Sequence, residues 1–259
     1  MNTEKTQTLL SLCTSLGVRA CTLSEIDSTN EEARRQANAD MSTPALIIAD
    51  AQTGGRGRMG RSFHSPADTG LYLSYLAKAK PDASDTVRLT TAAAVAVSLA
   101  IEEIYGISSE IKWVNDILVD GRKVCGILCE SFRAKSGERF AVIGIGVNIS
   151  TQNFPEELRG RAASIAQDSS QKYALAEAIL RSLTKFYNDP KDPEIIRIYR
   201  ERSAVLGRRI RLLDCGEETL ATATDIEEDG TLCVSLDSGE LKKIHSGEIT
   251  LRFDNGKEI

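Results

Sequence analysis

The sequence predicts an α+β protein, with a large unit of mixed strands and helices followed by a small all-β unit. Three observations predict it. Strand-length apolar runs alternate with segments of helical spacing as far as Leu206. Beyond Gly207 only short β-like runs remain, split by Asp229-Gly230 and Ser238-Gly239. The length of 259 residues suits one large domain plus a small one, at about 100–200 residues per domain. The division falls between 1–206 and 207–259.

Residues 9–21 read as a short amphipathic helix, because Ser11, Thr14, Ser15 and Arg19 interrupt the run too often for a signal-peptide core. Ser28, with Glu31 three residues later, reads as a capping box opening a helix to Asn38. Residues 44–50 form a strand-length apolar run, and residues 54–61 a Gly/Arg loop. Residues 70–77 alternate as a strand does, and residues 85–105 are Ala-rich with helical spacing, ending on a C′ glycine, Gly106. The runs 117–119 and 123–130 are joined by Asp120-Gly121, a strong hairpin signal, and 111–114 precedes them. Residues 140–148 read as a strand, and 172–187 and 193–206 as helices. The runs 209–213, 221–226, 231–236 and 242–244 suggest a small barrel or meander.

Composition narrows the class. Hydrophobic residues make up 41% and charged residues 27%, ordinary for a protein with a packed core. A net charge of −5 argues against a partner held mainly by phosphate contacts, such as nucleic acid. The six cysteines, Cys13, Cys21, Cys125, Cys129, Cys215 and Cys233, form no C-x-x-C pair, and only His64 and His245 could add to them. That pattern excludes an ordinary zinc site and suits reduced thiols in the cytoplasm. No apolar run approaches the roughly 20 residues that span a bilayer.

The densest chemical signal is Gln52-Thr53-Gly54-Gly55-Arg56-Gly57-Arg58-Met59-Gly60-Arg61. Glycines let the backbone approach a ligand, and three arginines supply forked donors for phosphate or carboxylate. A solvated basic loop is the plainer alternative, but interleaved glycines do not favour it. A P-loop is excluded because Pro66, Gly70 and a strand follow, where a helix is required. A second cluster is Lys112-Trp113-Val114-Asn115-Asp116, with Lys123 across the hairpin and Glu130 beyond. Lysines there can act as point charges, and Asn115 and Asp116 can hold a hydroxyl, a water or magnesium. Gly144-Ile145-Gly146-Val147-Asn148 lacks the third glycine of a dinucleotide fingerprint and reads as a strand that admits a ligand closely.

In this order, these segments closely resemble the biotin–protein ligases. The resemblance rests on Asp27-Ser28-Thr29-Asn30, the Gln52 to Arg61 loop, Lys112 to Asp116, Arg122-Lys123 with Gly126 to Glu130, and Gly144 to Asn148. Val114 departs from the family's proline, and Phe63 stands where tryptophan is common. No helix-turn-helix pattern precedes Ile26, so the resemblance is to the monofunctional type. It implies a class II aminoacyl-tRNA-synthetase-like mixed sheet flanked by helices, and an SH3-like β-barrel at the C-terminus.

It also implies roles. Ser28, Thr29, Asn30 and Gln52 would hold biotin, with Arg56, Gly57, Arg58 and Lys123 around its carboxylate. Arg56, Arg58, Arg61, Phe63, Asn115, Lys123 and Asn148 would face the nucleotide. Lys123, Arg58 and Asp116 would carry the chemistry. Biotin and ATP are the implied substrates with Mg2+, although no residue is assigned as a metal ligand. The product biotinyl-5′-AMP would pass biotin to a lysine of a biotin carboxyl carrier domain. No nucleic acid or membrane partner is implied, and a homodimer is allowed. The alternatives are a lipoate–protein ligase-like enzyme and a non-catalytic biotin sensor.

Overall fold

A computed structural model describes residues 3–79, 86–214, 217–245 and 248–251. Its larger part is a seven-stranded sheet of order β1-β2-β3-β7-β6-β5-β4. The strands are β1 (Arg19–Ile26), β2 (Ala45–Gln52), β3 (Gly70–Lys78), β4 (Glu110–Lys112), β5 (Asp116–Val119), β6 (Arg122–Arg133) and β7 (Arg139–Asn148). Only β1 and β2 run parallel; the other neighbours are antiparallel. The β5–β6 hairpin turns at Asp120 (φ 50°) and Gly121 (φ 66°), the two successive positive φ values of a type I′ turn.

Strand alternation assigns each face. On one side, Leu46 and Ile48 of β2 and Ala141, Ile143, Ile145 and Val147 of β7 join the main core. Helices α1 (Thr3–Ser15), α3 (Thr86–Tyr105), α4 (Lys172–Asn188) and α5 (Pro193–Glu201) contribute to that core. On the other side, Ala45, Ile47, Leu76, Phe140 and Val142 meet Ala33 and Ala37 of α2 (Thr29–Asn38). The α2 face of β7 then runs from Phe140 and Val142 to Gly144 and Gly146. Large side chains support the helix, and beyond it the side chains vanish. That step leaves a hollow beside the N-terminus of α2.

The smaller part is an antiparallel five-stranded sheet of order β11-β10-β9-β8-β12. Its strands are β8 (Arg209–Asp214), β9 (Glu217–Ile226), β10 (Leu232–Leu236), β11 (Leu241–Ile244) and β12 (Glu248–Leu251). Its edge strands β11 and β12 do not pair among the described residues, so the expected SH3-like barrel is not closed. The sheet docks through its β9–β10 turn. Trp113 Nε1 donates to Gly230 O (2.9 Å), Arg88 to Glu228 O (3.0 Å) and Arg200 to Ile226 O (2.7 Å).

Several element expectations change. The expected helix over 9–21 ends at Ser15, and Arg19–Ile26 forms edge strand β1 against β2. The last helix stops at Glu201 instead of 206, because the chain after it bridges β4: Ile111 N donates to Arg202 O (2.7 Å) and Ala204 N to Ile111 O (2.9 Å). Ser28 occupies the N-cap of α2, but its side chain makes no capping bond. The Thr29 amide donates to Gln52 Oε1 instead (2.8 Å), and Glu31 turns to Arg56. Asp85 and Cys215 lie outside the described residues.

Candidate active site

The hollow beyond α2 is lined by buried polar groups. Ser28, Thr29 and Asn30 are each less than 5% exposed. Gln52, at the end of β2, accepts from Thr29 N (2.8 Å) and Thr29 Oγ1 (3.1 Å) and donates to Ser65 Oγ (3.0 Å). Ser74 of β3 donates to Asn30 Oδ1 (2.6 Å) and lies 2.8 Å from Thr29 Oγ1. Asn30 Nδ2 donates to Glu130 Oε2 (2.9 Å), and Arg34 pairs with the other oxygen of Glu130 (2.9 Å). Such a network holds each donor and acceptor in a defined direction. The floor is glycine: Gly126 and Gly146 face each other across β6 and β7, and Gly144 lies under the Asn30 amide.

Beside it opens a larger cavity of about 540 Å³. Arg56, Arg58, Arg61, Lys112, Lys123 and Arg161 line it, as do Asn115 and Asp116. Arg58 Nη1 donates to Asn115 Oδ1 (3.3 Å), and Asn115 Nδ2 donates to Ile127 O (3.0 Å), which fixes the Asn115 amide. Lys123 Nζ lies 2.6 Å from Asp116 Oδ1. That contact is an ion pair without hydrogen-bond geometry, so the buried Oδ1 accepts no hydrogen bond. The backbone of Lys123 is held from outside the sheet: its N–H donates to Arg161 O (2.8 Å), and Ala163 N donates to its carbonyl (2.9 Å). The two cavities share Arg56, Phe63, Gly126 and Leu128.

The expected site residues thus fall into two adjoining groups. Ser28, Thr29, Asn30 and Gln52 line the smaller hollow. Gly57, Arg58, Arg61, Asn115, Asp116 and Lys123 line the larger cavity, and Arg56 and Phe63 line both. Asn148 lies elsewhere: it is buried at the end of β7, paired with Gly70, and lines neither cavity. Ser74 was missed, although a serine inside the apolar strand Gly70–Lys78 was a visible signal. Arg211, Leu213, Glu218 and Ile249 of the C-terminal sheet also line the larger cavity. No local motif marked them, because only long-range docking brings them there.

Two thiols sit under this floor. Burial pushes Cys129 up to about 12 and Cys125 higher still. Both stay protonated at neutral pH and are unsuited to nucleophilic chemistry.

Comparison with known proteins agrees with this geometry. Residues 22–148 match the model of the biotin/lipoate A/B protein ligase family, and residues 205–252 match the biotin protein ligase C-terminal domain. The bifunctional ligase/repressor BirA of Bacillus subtilis is 34% identical over 234 residues, covering 87% of this chain and 72% of that protein. The biotin--[acetyl-CoA-carboxylase] ligase of Mycobacterium tuberculosis is 29% identical, covering 88% of this chain and 86% of its own. The structure of biotin protein ligase from Aquifex aeolicus in complex with biotin and ATP superimposes with a TM-score of 0.75 at 31% identity. It covers 90% of this chain and 98% of that one. Sequence, fold and the paired cavities converge: the chain belongs to the biotin–protein ligases.

Proposed function

We propose that this protein activates biotin with ATP, forming biotinyl-5′-AMP and pyrophosphate, and then transfers the biotinyl group to a lysine of a biotin carboxyl carrier domain. One observation carries the reading. A buried hydrogen-bonding hollow meets a basic cavity at a shared wall of Arg56, Phe63, Gly126 and Leu128, with Lys123 beside Gly126.

The hollow suits a ureido ring, which needs donors and acceptors together. Ser28, Thr29, Asn30 and Gln52, which line the hollow, offer both, and Ser74 orients Thr29 and Asn30 from behind. The carboxylate chain then leads over the glycine floor towards the cations. A carboxylate oxygen must attack the α-phosphorus of ATP while pyrophosphate leaves, and both reactants are anions. Arg56, Arg58 and Lys123 lower that repulsion and hold the groups together. In the second half, the acceptor amine attacks the acyl carbon, AMP leaves and the ammonium loses a proton. No enzyme nucleophile is needed.

Magnesium fits the site in a limited way. Among the described residues no three His, Cys, Asp or Glu side chains come together. Asp116, Glu157 and Glu218 are the carboxylates that line the larger cavity, and Asp116 is paired with Lys123. Mg2+ is commonly held by one or two carboxylates plus substrate phosphates. Bound there with ATP, it would withdraw charge onto the leaving pyrophosphate.

The reading places the protein in the cytoplasm, without nucleic acid or membrane partners. The charge of −5 argues against a nucleic-acid partner; no described helix is long and apolar enough to cross a membrane. A homodimer is compatible with it and would show in light scattering. The decisive experiment supplies ATP, magnesium, biotin and a biotin carboxyl carrier domain, and reads the carrier with streptavidin. ATP–pyrophosphate exchange should require biotin and not respond to lipoate. Exchange driven by lipoate, or none at all, would overturn the assignment.

A further inference from the structure

The smaller hollow has a free volume of about 30 Å³, room for about two waters. A fused bicyclic ring with a carboxylate chain does not fit in it. One side chain accounts for the shortage. A Cβ on Gly146 would come within 2.5 Å of Phe63 Cε1 and 2.8 Å of its Cζ, and one on Gly126 within 3.2 Å of its Cε2. The Phe63 ring therefore fills the space that the two glycines leave open. It lines both cavities and stands at their junction.

The main chain of Phe63 is fixed by hydrogen bonds, while its ring rests on the glycine floor. Its N–H donates to Gly55 O (2.9 Å), and its carbonyl accepts from Ser65 Oγ (3.0 Å). Among the described residues the ring's one aromatic neighbour is Tyr72, edge-on at 6.4 Å between centroids. Phe63 is only half-buried, so its ring has solvent to turn into. Rotation about the side-chain torsions can clear the junction without moving the loop.

We infer that Phe63 controls the entry of biotin: in the free protein its ring occupies the path between the hydrogen-bonding hollow and the basic cavity, and it must swing out before the carboxylate chain can cross Gly126 and Gly146. The inference rests on reading the hollow of Thr29, Asn30 and Gln52 as the biotin site. When a ligand binds only one of two rapidly exchanging conformers, its association rate scales with the population of that conformer, as its apparent affinity does. Removing the ring therefore accelerates association.

The test uses the full chain and radiolabelled biotin, with association rates read by rapid filtration. Phe63→Ala should raise the association rate constant about tenfold, with Phe63→Leu in between. The amplitude reports the folded share, so an unstable variant still yields a rate. Asn30→Ala serves as the companion and should lose measurable binding. If Asn30→Ala loses binding while Phe63→Ala associates no faster than the parent, the site stands and control by Phe63 is overturned. If Asn30→Ala binds biotin as the parent does, the site reading fails and this inference fails with it.

Discussion

At the scale of single residues, Lys123 has the most distinctive setting. It lies just past the Asp120-Gly121 turn, its backbone is pinned by Arg161 and Ala163, and its ammonium rests 2.6 Å from Asp116. Lys123→Ala should slow single-turnover adenylate formation by roughly 10²–10³, since a contact to a developing anion contributes about 3–4 kcal/mol. A variant retaining more than a tenth of the rate would remove Lys123 from that role. The residues legible in the sequence were those whose chemistry is written locally: Arg56 and Arg58 between glycines, Asn115-Asp116 before a hairpin, Thr29-Asn30 at a helix start. Ser74 and the Arg34–Glu130 pair were harder to see. Their roles exist only because β3, β6 and α2 come together, across sequence separations of 44 to 100 residues.

At the scale of elements, β7 makes the site. Phe140 and Val142 support α2, and Gly144 and Gly146 then open the floor. Adding a methyl to that floor tests it. Gly144→Ala would drive a Cβ into the Asn30 amide and disturb its bonds to Ser74 and Glu130. Biotin affinity measured by calorimetry should fall about a hundredfold, or about 2.7 kcal/mol. Parent-like affinity would show that Asn30 is not part of the biotin site. Strand β3 was readable from its alternation and β2 as a strand-length apolar run. Strand β1 was not, because every one of its residues is at least partly exposed and it pairs in parallel with β2, which lies beyond α2. Its sequence carries no clean apolar alternation to betray it.

For the whole molecule, the question is how far the two sheets depend on each other. We propose that residues 207–259 form a topologically separate unit that shares its core with 1–206. Ile210, Leu212, Ala221, Ile226 and Val234 belong to the same buried cluster as Trp113 and Val205. Removing residues 207–259 should therefore lower the melting temperature and abolish most ligase activity, since it also strips Arg211 and Glu218 from the larger cavity. A truncated protein melting as the parent does would refute the shared core. Alkaline pH probes the same interior. Burial raises Cys13 from 9.0 to about 11, Cys129 from 9.0 to about 12, and Tyr72, Tyr75 and Tyr105 from 10.0 to about 12. The folded protein keeps these protons after the unfolded chain would release them. Their contribution is complete below pH 9 and is lost as pH rises through 11 to 12. The urea midpoint should fall between pH 9 and 11, and a midpoint that stays level would show these groups to be solvated. On the acid side, Arg35 holds Asp27 down to about 2, so that half-exposed pair fades only between pH 3.8 and 2.

The seam between the sheets also contains the chain's single tryptophan. Trp113 is 3% exposed, and its indole N–H is bound to Gly230 O across the junction. Its emission is therefore an intrinsic optical gauge of docking, free of interference from any other indole. An undocked C-terminal sheet would hydrate the ring and shift its emission to the red, even with α3 and the seven-stranded sheet intact. A denaturant titration followed by this emission and by far-ultraviolet circular dichroism would then show two separate transitions if the sheets part before they unfold, and one shared transition if they do not.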